Sequence, residues 1–470
     1  MELPVENPGT TRDPRGRCVT GVPFSADEVR RIGEQVFDLP GADGVEVVAM
    51  GSTVALTRFA RSQIIQNTIQ DTVRVYIRVA VGRRFASAST NQFDSTSLKA
   101  AAVRALESAQ KTPEDPEFPG FPSPSEVGAA ASVMRFDDVT ASTSPEIRAR
   151  AIADILALTK DSEAAGIYET SAHAYSVVSS AGMDCHDAYT RCVVSCLADI
   201  DGATGYNEAS SHSRDAVDHE AVARIAAGKA RSGAGAGDLA PGDYEVVLEP
   251  AAVAMLLDYL SYVGFGAKQM IDGESFFSTR IGQQVAEPRI TIADDVLHPL
   301  SVGIGFDFEG VPRKRVTVIE HGTAVEPVTD YRTARRIGRE PSGHYSGSNE
   351  WGPYASNIVM EAGDSSPDEL FSGVDDGLLV TRFHYVNVLD RPTALLTGMT
   401  RDGLWRIRGG EVAEPVHNLR FTQGVLDALD SARRIGSDLR AFAAEFGGFG
   451  STVAPSVRVG RWSFTSATSH

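Results

Sequence analysis

Three of the four cysteines in this 470-residue chain crowd one stretch, as Cys185-His186, Cys192 and Cys196. Thiolates and imidazoles bind zinc, and thiols do redox chemistry, so the stretch could build a small metal or redox site. Its spacing, Cys-x6-Cys-x3-Cys, matches no common zinc template. On a strand, Cys192, Val194 and Cys196 would share one face, where reduced cysteines pack as small apolar groups. Hydrolysis at a helical zinc is the second chemistry to weigh. It needs two histidines one turn apart and a carboxylate base on the same helix. The chain has no His-Glu-x-x-His, and its one His-Glu step, His219-Glu220, has no histidine on the next turn. In the second half, His298, His321, His344, His384, His417 and His470 share no helical turn, and no cysteine follows Cys196. Acyl transfer is the third. Ser342-Gly343-His344-Tyr345-Ser346-Gly347-Ser348 sets a histidine among serines, although a flexible polar surface loop is the expectation for such a run. The chain offers neither Gly-Lys-Ser/Thr nor Gly-x-Ser-x-Gly, so it has no P-loop and no nucleophile elbow.

Composition narrows the field further. Acidic residues outnumber basic ones 62 to 44, a net charge of −18. Contact with DNA, RNA or an anionic membrane needs clustered Lys and Arg, so this balance argues against all three. At 42% apolar and 23% charged, the chain reads as a soluble globular protein with a large core. No window approaches 18 uninterrupted apolar residues, and Met1 to Arg17 lacks the apolar core of a signal peptide. A reduced, cytoplasmic protein is expected.

These residues must be held by elements that the patterning predicts. Residues 1–22 read as a flexible leader. Ser25, followed by Ala26-Asp27-Glu28, predicts a helix N-terminus, with the helix running to about Phe37. Strands are expected at 45–50, 53–59, 62–69 and 72–81. In the last, Val73, Val75, Ile77, Val79 and Val81 alternate with Arg74, Tyr76 and Arg78, giving one buried face and one wet face. Helices follow at 97–110 and 145–163, strands at 168–171, 174–179 and 190–198, and a helix at 218–230. The glycine-rich run 231–242 reads as a flexible linker. Beyond it come a strand at 243–248, a helix at 250–264 with Pro at its start, many short strands, a helix at 422–435 and a last strand at 456–464. The fold class is α+β in two domains. Residues 23–235 form a mixed α/β domain, and residues 236–470 form a mainly antiparallel β domain with a few helices.

An ordered set of short motifs is similar to the TldD/PmbA (TldE) metallopeptidase family. Thr57-Arg58-Phe59-Ala60, Gln66-Asn67 and Ala86-Ser87-Ala88-Ser89-Thr90-Asn91 resemble its N-terminal domain. Gly242 to Leu248, Glu274-Ser275-Phe276-Phe277 with Ile281-Gly282, and Asp307-Phe308-Glu309-Gly310-Val311-Pro312 resemble its second half. Ile319-Glu320-His321-Gly322, Ala362-Gly363-Asp364, Leu396-Thr397-Gly398 and Gly409-Gly410-Glu411 follow in the family's order, so the resemblance spans about residues 23 to 465.

The resemblance implies a two-domain protein that works as a dimer. TldD-type members carry His-Glu-x-x-x-His on the helix after the Asp-Tyr-Glu-Val-like strand, with a cysteine as a distant further ligand. By position those residues are Asp258, Tyr259, Val263 and about Thr400 here, so the metal site is degenerate and no metal or cofactor is expected. What is implied is a non-catalytic, TldE/PmbA-like subunit that pairs with a TldD-type catalytic subunit or with itself. It would help enclose an extended peptide or peptide-like substrate, without direct nucleic-acid or membrane contact. Asp258, Tyr259, Tyr262 and Thr400 are the substrate-binding candidates. The alternative is a self-sufficient, diverged enzyme of a natural-product pathway, acting on an amide or small conjugate through the same four residues without zinc. A role as a DNA gyrase modulator acting on DNA, the family's historical label, runs against the charge.

Overall fold

The computed structural model describes residues 21–130, 132–133, 135–446 and 449–467. Most of the expected leader, residues 1–20 with Cys18, lies outside them. The architecture is mixed α+β with mostly antiparallel sheets.

The first sheet is fully antiparallel, in the order β3-β2-β1-β4-β5-β6. Its strands are β1 (Gly44–Ala60), β2 (Gln63–Val81), β3 (Arg84–Thr90), β4 (Glu163–Ser179), β5 (Asp184–Ile200) and β6 (Ala203–Ser211). The short strands expected at 45–59 and 62–81 are therefore two long ones, joined at Arg61 and Ser62 with φ of 51° and 55°. Gly51 and Ser52 read as a break in the sequence, yet they stay in register opposite Val73 and Thr72. The same holds for β4, and β6 escaped the sequence reading, its small and polar residues giving little alternation.

One face of this sheet is covered by helices. Ala26–Val36 and Ser95–Lys111 lie over the alternating Val45, Val47, Val73, Val75, Ile77 and Val79. Pro145–Leu158 and His219–Ser232 lie over Cys192, Val194, Cys196 and Ala198. The first helix opens at the expected N-cap, Ser25, which the structure shows to be a capping box closed by Glu28. The opposite face carries Val48, Tyr175, Val177, Cys185 and Tyr189, and the second half of the chain packs on it through Val302, Ile304, Phe306, Phe308 and Tyr345.

The second half opens with β7 (Gly242–Leu248) and holds two more sheets. One has the order β10-β9-β8-β11-β18-β17, from β8 (Ile292–Asp294), β9 (Val316–Glu320), β10 (Thr323–Ala324), β11 (Asn357–Met360), β17 (Arg440–Ala443) and β18 (Ser451–Ala454). The other runs β12-β7-β19-β15-β13-β14, with β16 on β19, and β12 also pairs with β13 to close a ring. Its strands are β12 (Asp376–Asp390), β13 (Leu395–Arg408), β14 (Glu411–Pro415), β15 (Leu419–Gly424), β16 (Ala432–Ile435) and β19 (Val457–Ala467). The helix expected at 422–435 is instead the end of β15, a short helix Val425–Asp430 and β16. The run 231–242 is also tied down: Gly237 N–H donates to Pro415 O at 3.0 Å, and His417 N–H donates to Gly237 O at 2.9 Å.

Candidate functional site

The helix Pro250–Gly264 is where sequence reasoning placed the site. Pro250 sits at the first turn, where its missing N–H costs nothing. Eleven of its fifteen residues are buried, so it is a central packing helix with apolar residues nearly all round. It rests against β12 and β18.

Asp258 is 3% exposed. Its Oδ2 accepts the Glu445 N–H at 3.0 Å, and its Oδ1 accepts the Thr452 hydroxyl. Burial pushes this carboxyl up to about 7, against the lowering effect of those two donors. The Tyr259 hydroxyl donates to Val386 O at 2.6 Å, and its ring meets Phe446 edge-on. Tyr262 stacks on Phe446 at 4.7 Å, and the Arg391 guanidinium lies over its ring at 5.2 Å. Val263 is fully buried among apolar neighbours. Thr400 is buried on β13, where its Oγ1 accepts the Leu419 N–H at 3.0 Å and bonds the Asn418 side chain at 3.1 Å. The structure thus gathers Asp258, Tyr259 and Tyr262 around Phe446 and the residues next to it, while the Thr400 hydroxyl is engaged with residues outside the helix.

This donor set does not fit zinc. Val263 has no donor atom, the Tyr259 hydroxyl is spent on a backbone carbonyl, and both Asp258 oxygens already accept hydrogen bonds. A zinc site needs three or four protein ligands, one basic group beside an open position, and an entry path. Among the described residues no three His, Cys, Asp or Glu side chains converge on one point.

The cysteine stretch divides between two faces of the sheet. Cys192 and Cys196 lie under the helices, whereas Cys185 faces the second half, its Sγ 3.5 Å from Gly310 O. Burial pushes the Cys192 and Cys196 thiols up to about 12 and Cys185 to about 11, far from a reactive thiolate. The Ser342–Ser348 run is not the flexible surface loop the sequence suggests. His344 is fully buried, with Nδ1 2.9 Å from Ser342 Oγ and Nε2 3.0 Å from Asp294 Oδ1. Burial works to raise the Asp294 carboxyl, but His344 and Arg313 bring it down to about 2. Ser342 Oγ is taken up by Thr329, accepting its N–H at 2.7 Å and donating to its carbonyl at 3.0 Å, so it is a packing group rather than an exposed nucleophile.

A large cavity lies elsewhere, between the bare face of the first sheet and loops of the second half. Its volume is about 1040 Å³. One wall is β1, β2 and β4, with Val48, Met50, Arg74, Tyr76, Arg78, His173 and Tyr175. The other is Phe308, Tyr345, Ser346, Gly347, Asn349 and Phe449. Tyr175 and Phe308 rings are 5.8 Å apart, and Phe308 meets Phe449 edge-on at 5.3 Å. Burial, with Arg191 nearby, holds His173 down at about 3, so it is neutral. This cleft was missed by sequence reasoning. The wet face of β2, Arg74-x-Tyr76-x-Arg78, was its one visible signal, but it read as solvent-facing, whereas Arg78 is buried.

Residues 241–466 match the family described as PmbA/TldA metallopeptidase C-terminal domain. A metalloprotease of Methanothermobacter thermautotrophicus is 27% identical over 228 residues, 46% of this chain and 49% of that protein. A zinc metalloprotease TldD homolog of Saccharolobus solfataricus is 25% identical over 42% of this chain and 44% of its own length. The chain therefore spans about half the length of the curated relatives it matches. Among solved structures, TldE from Thermococcus kodakarensis superposes with a TM-score of 0.81 at 18% identity, over 94% of this chain and all of that one. A Thermotoga maritima protein described as a modulator of a DNA gyrase gives 0.80 at 19%, over 93% and 100%. At such identities the likeness shows the fold alone. Among the described residues no helix is long and apolar enough to cross a membrane.

Proposed function

This chain belongs to the TldD/PmbA metallopeptidase family, and from that premise we propose that it is a non-catalytic, TldE-like subunit of a TldD-type complex, helping to enclose and bind an extended peptide. We place the division between its two domains at residues 235 and 236. The observation that carries the reading is the chemistry at the family's metal position. Asp258 is sealed by Glu445 and Thr452, Tyr259 is capped by Val386, and Val263 is aliphatic. An activated water needs ligands for the ion and a base for the proton, and this helix supplies neither. The cleft supports the binding half of the reading, since aromatic walls with scattered polar groups suit side chains of varied sequence.

The alternative, a self-sufficient enzyme working through Asp258, Tyr259, Tyr262 and Thr400, is disfavoured because Asp258 and Thr400 are sealed from solvent. The test is reconstitution. Purified chain mixed with a TldD-type partner is expected to give a heterodimer by size exclusion, and peptidase activity that neither subunit shows alone. No complex and no gain in activity would remove the proposal.

A further inference from the structure

We propose that the cleft grips its peptide by a carboxylate, and that Arg74 is the receiving cation. The inference rests on the peptide-binding reading above and adds the chemical group that is recognised.

Two arginines, Arg74 and Arg78, line the cleft from the same face of β2. Their registers give them opposite fates. Arg78 stands across from Glu46 on β1, and its Nη1 lies 2.5 Å from the Glu46 carboxylate. It also donates to Phe308 O at 3.3 Å, lies 3.7 Å from Glu309, and sits over the Tyr345 ring. Its charge is spent on the fold. Arg74 stands across from Met50, which in turn pairs with Tyr175 on β4. Its Nη1 donates to the Tyr76 hydroxyl at 3.4 Å, and no described carboxylate comes within ion-pair distance of it. In a chain with 62 acidic residues, an arginine without one at the mouth of an aromatic cavity is a free receptor for an anion. A guanidinium takes a carboxylate through two parallel N–H donors, which fixes direction as well as charge. Of the other charged groups on the lining, Asp71 stands on the opposite face of β2 from Arg74 by strand alternation, where it accepts the Thr53 hydroxyl at 2.6 Å, and burial lowers His173 to about 3.

The backbone beside Arg74 fits the same ligand. β3 ends at Thr90, opposite Val75, so β2 from Arg74 back to Gln63 pairs only with β1 among the described strands. That outer edge offers unpaired main-chain donors and acceptors to an extended chain, independent of its sequence. A peptide anchored at Arg74 would lay its backbone along this edge or pass its side chains between Tyr76, Tyr175, Phe308 and Phe449.

The test uses full-length chain and three fluorescent pentapeptides read by anisotropy at low salt: Ala-Val-Thr-Tyr-Ala as the free acid, the same sequence as the C-terminal amide, and the amide with Glu in the last position. The free acid is expected to bind about tenfold or more tighter than the amide, from the charge-assisted pair. Arg74→Gln should bring binding of the free acid down to the level of the amide and leave the melting temperature unchanged. Arg74→Lys should keep only part of it. Tight binding of the Glu amide would show that a side-chain carboxylate serves as well as the terminus. Equal binding of acid and amide, or a gap that survives Arg74→Gln, would overturn the role of Arg74 but leave the peptide-binding reading standing. Failure of all three to bind the wild-type chain would overturn both.

Discussion

Arg78 of β2 and Glu309 of the loop before β9 meet across the junction of the two halves, 3.7 Å from Nη2 to oxygen, with Glu46 at Nη1 of the same guanidinium. One buried cation thus faces two buried carboxylates. Burial raises both carboxyls, and the second oxygen of each has no hydrogen-bond partner.

Removing the cation should therefore be costly. Arg78→Met leaves two carboxylates unpaired, and a loss on the order of 3–5 kcal/mol is expected by analogy with other broken buried pairs. Glu46→Gln should cost less, because Arg78 keeps Glu309. Urea unfolding monitored at constant slope measures both. Equal and small losses would show that the junction does not depend on this cation.

Asp258 should make stability fall as pH rises. Its ordinary value is 3.8, and in the fold it is pushed up to about 7. The native state holds the proton more tightly than the unfolded chain, so this group's contribution is fully present below pH 3.8 and is lost as pH climbs to about 7. Asp258→Asn removes the titration while keeping both bonds, since its oxygen can accept the Glu445 N–H and its amide can donate to Thr452. The variant should match wild type near pH 4 and exceed it at pH 8 by on the order of 2–4 kcal/mol. A destabilised variant at pH 8 would mean that the charged carboxylate is wanted there.

Cys185, Cys192 and Cys196 should be silent toward a thiol reagent in the native protein. Each is buried with a raised thiol, so the thiolate fraction at pH 8 is small and access is poor. In a Cys18→Ser chain, Ellman's reagent should label none quickly and all three after unfolding. Rapid labelling of one in the native state would point to an opening that the fold does not show.

The sequence was most legible where a local rule acts alone. The N-cap at Ser25, the alternation of β2 and the helix Pro250–Gly264 each follow from spacing, residue type or a stop residue. Several of the motifs that carried the family resemblance serve to hold the fold together. Thr57 and Asn67 hold the buried Arg148 at 3.0 Å each. Asp307 accepts the N–H groups of Glu309, Val311 and Tyr345, fixing a turn in which Gly310 takes φ +77°. Ser275 caps the end of the Pro250 helix by donating to Gly264 O at 2.6 Å, and a Cβ on Gly264 would strike Phe276. What stayed hidden depends on contacts between distant segments. The burial of His344 requires Asp294, fifty residues away, and the cleft exists only because loops 306–312 and 345–349 pack against a sheet made of residues 44–211. The expected helix at 422–435 failed because the apolar residues there are shared among a strand end, a six-residue helix and a second strand.

The central claim is that the Pro250 helix cannot hold a divalent ion. The direct measurement is zinc content, by mass spectrometry, of the chain purified in the presence of zinc and dialysed, alongside Asp258→Ala. The account predicts well under one tenth of an equivalent in both. One zinc per chain, lost on Asp258→Ala, would contradict it.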